Sequence, residues 1–107
     1  MTLANTPEFA ERYRLAVMDA ATKKSEAVRA EKLAKRVFSA CYLSAEGPVA
    51  EREHKARTNE EYKRFEDDWI AAEHEANIAE AKVDAMRLAA DIWRTSESSR
   101  RAEMSLR

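Results

Sequence analysis

Apolar positions in the second half of the chain recur at alternating spacings of three and four: Tyr62, Phe65, Trp69, Ala72, Ala76, Ala79, Val83, Met86, Ala90 and Trp93. A 3.5-residue repeat places all of them on one stripe of a long helix, and such a stripe is covered by another helix. The first half carries a matching seam at Phe9, Tyr13, Ala16, Ala20, Lys23, Ala27, Ala30, Ala34, Val37 and Cys41. It is mostly alanine, which lets two helix backbones approach closely and suits bulkier partners such as Phe65 and Trp69.

Boundary signals fix where these helices start and stop. Thr6 can cap, Pro7 fits the first helical position and Glu8 complements the helix dipole. Nothing breaks the pattern until Gly47-Pro48, where Pro48 disfavours helical geometry in the residue before it. The sequence therefore predicts a first helix over about 7–45, a turn at 44–48 and a second helix over about 49–96. A loose tail is expected over 97–107, because Thr95-Ser96-Glu97-Ser98-Ser99 has poor helix propensity. Thr58-Asn59 followed by Glu60-Glu61 resembles a second capping signal, marking a kink or a restart.

The predicted fold is all-α: an antiparallel two-helix hairpin of coiled-coil-like helices forming a single domain over residues 1–107. Folding back at Gly47-Pro48 brings Ala27 level with Phe65, Ala20 with Ala72, Tyr13 with Ala79 and Phe9 with Val83. Lys23 would then lie beside Trp69, its stem over the ring.

Two regions exceed what a lone hairpin can cover. Near the turn, Leu33, Val37, Phe38, Cys41, Tyr42 and Leu43 face a polar stretch that offers little beyond Val49, Ala50 and Ala56. At the other end Met86, Leu88, Ala90, Ile92 and Trp93 lie beyond the start of the first helix. Ile78, Ala81, Ala85, Leu88 and Ile92 also form a second stripe, expected to sit beside the first and to widen the apolar face. Contiguous exposed apolar surface marks an interface. The candidate interface residues are Val37, Phe38, Cys41, Tyr42, Met86, Leu88, Ile92 and Trp93. The expected partners are further copies, as a dimer or tetramer in a helical bundle, together with another protein.

Composition narrows the chemistry. One glycine and two prolines in 107 residues leave little from which to build hairpins or phosphate loops, and the 36 % of charged residues is the make-up of long helices. Glu8/Arg12, Glu31/Lys35, Glu51/Lys55, Glu53/Arg57 and Glu60/Arg64 have the order favoured for i,i+4 pairs. A net charge of −1 supplies no global field toward nucleic acid or an anionic membrane. The single cysteine, Cys41, excludes an internal disulfide and favours a reducing compartment. No apolar run reaches membrane-span or signal-peptide length, so a cytoplasmic protein without membrane contact is expected.

Candidate chemistry is sparse. Glu51-x-x-His54 is half of a di-iron motif, but Ala71 stands three residues before His74, so the second half is missing. Cys41 has no activating histidine nearby in sequence. No catalytic, cofactor-binding or metal-ligating residue is assigned, and an enzyme is not expected. Arg94, Arg100, Arg101 and Arg107 are the candidate nucleic-acid contacts, with serines between them that can also reach phosphates.

Ala85 to Thr95 (AMRLAADIWRT) and Ser99 to Met104 (SRRAEM) together resemble the ends of small, charged helical bacteriophage proteins. In those proteins a Trp-Arg pair precedes an Arg-Arg-Ala-Glu run, and the genes lie beside recombination or replication functions. The resemblance implies an accessory role acting through protein–protein contacts, and it carries no active site. Secreted helical hairpins of comparable length have a Trp-x-Gly turn; here the turn is Glu46-Gly47-Pro48.

Overall fold

A computed structural model describes residues 6–106. They form α1 (Pro7–Ser44), α2 (Val49–Thr58) and α3 (Glu60–Ser105), with no strand among the described residues. The all-α class is as the sequence predicts, but the helices number three because the second half breaks at Asn59.

Each boundary has a local cause. Thr6 Oγ1 accepts from Phe9 N–H at 3.2 Å and caps α1. At the other end of α1 Ala45 N–H closes on Cys41 O at 3.1 Å, and Gly47 then takes a positive φ of 112° that side chains disfavour. Pro48, with φ −64° and ψ 163°, leads into α2. Asn59 separates α2 from α3: its ψ of 131° is extended, and its Oδ1 accepts from Glu61 N–H at 2.9 Å and Tyr62 N–H at 3.1 Å. Glu60 and Glu61 lie in the first turn of α3, while Lys55 and Arg57 lie in the last turn of α2, each on the side the helix dipole favours. The capping reading of Thr58-Asn59 is therefore realised as a full stop and restart.

Helix α3 continues to Ser105, through the serines where propensity alone predicts loosening. The hydroxyls of Thr95 and Ser105 turn back onto the carbonyls of Asp91 and Arg101, four residues earlier, at 3.0 Å each. Back-bonding of this kind satisfies the hydroxyls within the helix without itself stabilising it. Arg94–Asp91 and Arg100–Glu97 pairs at i,i+3 add support.

The chain divides into two units. Unit 1 takes Met1–Ala20 and Ile78–Arg107; unit 2 takes Ala21–Asn77, including α2. In unit 1 the residues withdrawn from solvent include Phe9, Tyr13, Ala16 and Ala20 of α1, and Ala79, Val83, Met86, Ala90 and Trp93 of α3. In unit 2 they include Lys23, Ala27, Ala30, Ala34, Val37 and Cys41, and Tyr62, Phe65, Trp69, Ala72 and Ala76. Every seam position read from the sequence is thus partly or fully covered. Most of the buried side chains are alanines: among the described residues Ala34 and Ala56 have no exposure, and the other buried residues are Phe9, Ala16, Ala27, Ala79 and Val83.

The levels at which the segments meet differ from those expected. In unit 2 the Lys35 ammonium, not that of Lys23, lies over the Trp69 ring, 5.9 Å from its centroid. In unit 1 Arg87 Nε donates to the Tyr13 hydroxyl at 3.3 Å, whereas Ala79 was expected level with Tyr13. The α2 region accounts for the offset within unit 2. Tyr42 carries the Arg52 guanidinium at 6.0 Å, and Phe38 meets Tyr62 edge-on at 5.2 Å. Between those two contacts α1 changes by four residues and the facing segment by ten, the surplus being taken up where the chain turns aside at Asn59.

Candidate functional site

The turn-end cluster lies in unit 2. Val37, Phe38, Cys41 and Tyr42 are all half-buried. Phe38 and Tyr42 find Tyr62 and Arg52 as described, so the expectation that this end lacks partners is corrected: Asn59 redirects the chain and brings Tyr62 within reach. Val37 and Cys41 line a shallow groove of about 410 Å³ with Ala40, Lys55, Asn59 and Glu61. Lys55 is held by Glu51 at 3.3 Å and by the Glu46 carbonyl at 3.0 Å. Arg52 Nε is shielded from solvent without a hydrogen-bond partner, its guanidinium being set against the Tyr42 ring instead.

The second cluster lies in unit 1 and separates into two environments. Met86 and Trp93 sit on the covered seam and are half-buried. Met86 lines a groove of about 510 Å³ with Phe9, Arg12, Leu15, Ala16, Asp19 and Lys82, so it has neighbours on α1 that the sequence-based levels denied it. Leu88 and Ile92, by contrast, are 60 % and 55 % exposed, and Ile78 is 53 % exposed. Ala81 and Ala85 between them are also exposed. The second stripe therefore does not widen the seam. With Val83 and Met86 at the inward heptad positions a and d, Ile78, Ala85 and Ile92 fall at c and Ala81 and Leu88 at f, on the opposite side of the helix.

The arginines are partly committed. Arg94 Nη2 pairs with Asp91 at 2.6 Å and Arg100 Nη2 with Glu97 at 2.9 Å. Arg101 is exposed and makes no ion pair among the described residues; Arg107 lies outside them. Of the expected i,i+4 pairs, Glu31–Lys35 and Glu51–Lys55 form, while Glu60 turns to Lys63.

Titration is perturbed at few places. Partial burial, reinforced by donation to Glu66 Oε2 at 2.9 Å, pushes the Tyr62 phenol above its ordinary value. Bidentate hydrogen bonding from Arg14, at 2.6 and 3.0 Å, holds the Glu11 carboxyl below its ordinary value. No three His, Cys, Asp or Glu side chains converge on a possible metal position among the described residues. No helix among them is long and apolar enough to cross a membrane.

Charges of opposite sign predominate on the two long segments of unit 2. A groove of about 440 Å³ on α1 is lined by Ser25, Val28, Arg29, Lys32, Leu33 and Arg36, with no carboxylate. On α3 of the same unit Asp67, Asp68 and Glu75 are exposed.

No protein-family model matches this chain, and no curated protein or solved structure is detectably similar to it.

Proposed function

We propose that the chain is an antiparallel helical hairpin that works as a non-enzymatic interaction module, pairing with further copies and with a protein partner through the outward stripe of α3. The observation that carries this reading is the exposure of Ile78, Leu88 and Ile92 at helical spacing on a helix whose opposite face is already covered. Full burial of a Leu or Ile side chain is worth about 1.5–3 kcal/mol, and Ala81 and Ala85 between the large residues permit close helix approach. The bacteriophage resemblance of the C-terminal stretch makes recombination and replication proteins the partner class to test first.

Leu88→Asp combined with Ile92→Asp tests the reading. Sedimentation analysis is expected to show the wild-type oligomer reduced to a smaller species with helicity unchanged. An unaltered sedimentation coefficient would contradict the assignment of this stripe as the interface.

A further inference from the structure

We infer that unit 2 carries two mutually complementary outward faces and that its α1 face docks the α3 face of a second copy, giving an open-ended, head-to-tail assembly. With Ala27, Ala30 and Ala34 on the covered seam, Arg29 and Arg36 fall at c and Lys32 at f, pointing away from α3. With Phe65, Trp69 and Ala72 covered, Asp67 falls at f and Ala71 at c, pointing away from α1. All of these outward residues are exposed; Asp68 and Glu75 at g and Ile70 at b are exposed on the flanks of the α3 face, and Arg64 is exposed at its c position. Arg29, Lys32, Arg36, Asp67, Asp68 and Glu75 make no ion pair among the described residues. One copy cannot bring its own two faces together, because they lie on opposite sides of the unit.

The levels within the unit set the register between copies. The Phe38–Tyr62 and Lys35–Trp69 contacts bracket those levels, placing Arg36 between Arg64 and Asp68, Leu33 between Asp67 and Ala71, and Arg29 between Ala71 and Glu75. A second copy displaced sideways without rotation keeps those levels. Its Asp67 and Asp68 then lie beside Lys32 and Arg36, its Ile70 beside Leu33, and its Glu75 within reach of Arg29. Opposite charges thereby come together on both sides of the Ile70–Leu33 contact. The contact uses different surfaces on the two copies, and repeated translation does not close, so growth is open-ended. Exposed ion pairs are individually weak and screened by salt, so the assembly should be concentration-dependent and salt-sensitive. It does not rest on the α3 stripe of unit 1, whose apolar contact is not weakened by salt.

The test is light scattering of the full chain over a concentration series at low and high salt, repeated in the Leu88→Asp/Ile92→Asp background to remove the other surface. Growth in mass without a plateau at about 0.01 M salt, lost at about 1 M where the Debye length is about 3 Å, is the expected result. Two charge-reversed chains complete it: Arg29→Glu/Lys32→Glu/Arg36→Glu, and Asp67→Lys/Asp68→Lys/Glu75→Lys. Each alone should fail to grow, and an equimolar mixture should grow again, because every junction once more pairs opposite charges. Four results would each overturn the inference: a plateau at a closed dimer, growth of either reversed chain alone, no recovery in the mixture, or capture of duplex DNA by the basic face without self-growth.

Discussion

Ala34 and Ala56 are wholly withdrawn from solvent, and no larger side chain among the described residues is. Packing in unit 2 therefore depends on small side chains holding backbones close, and the sensitive substitution is enlargement. Ala34→Leu should destabilise by about 1–3 kcal/mol through overpacking, while the same exchange at exposed Ala21 should stay within about 0.5 kcal/mol; urea unfolding of both checks this. Tyr62 contributes a pH dependence on the alkaline side. Its folded-state pKa is raised, so the folded chain holds the phenolic proton more tightly than the unfolded chain. That contribution is fully present below the ordinary tyrosine value of about 10 and is lost as pH rises above it. Tyr62→Phe should flatten the fall in stability on the alkaline side, and an unchanged slope would show that Tyr62 is not its source. At this scale the Thr6 cap and all the seam residues were readable from spacing and residue type. The Lys35–Trp69 contact was not, because it depends on how the chain turns aside at Asn59.

Asn59 governs the elements. It ends α2, caps α3 and shifts the levels at which unit 2 packs. Asn59→Ala removes the acceptor for Glu61 and Tyr62 N–H and should cost about 1 kcal/mol; Asn59→Asp, which keeps the acceptor, should retain most of that stability. Equal stability of both variants in urea would mean that the cap is idle. The capping signal was visible in the sequence, but whether a capping pair interrupts a helix or merely decorates it depends on tertiary packing, here the placement of Tyr62 against Phe38. The continuation of α3 to Ser105 was hidden for a related reason. Propensity treats Thr95 and Ser105 as helix-weakening, whereas here both hydroxyls are satisfied within the helix.

For the molecule as a whole, the all-helical class was legible in the sequence because a 3.5-residue repeat and the scarcity of glycine and proline point to long helices. The sequence revealed the apolar outward stripe as residues but misjudged its direction, since two stripes on one helix can adjoin or oppose and only the heptad phase decides. A near-zero net charge also concealed the separation of signs between the α1 and α3 faces of unit 2, because opposite faces cancel in the total. The central claim is that Ile78, Leu88 and Ile92 remain exposed within one chain in order to meet another helix. It is tested most directly by the molar mass of the wild-type chain in solution at about 1 M salt, where charge contacts are screened to about 3 Å and apolar ones persist. A mass at least twice that of the 12.2 kDa chain, falling to the single-chain value in Leu88→Asp/Ile92→Asp, is the predicted result. A single-chain mass for the wild type across the whole concentration range would contradict it.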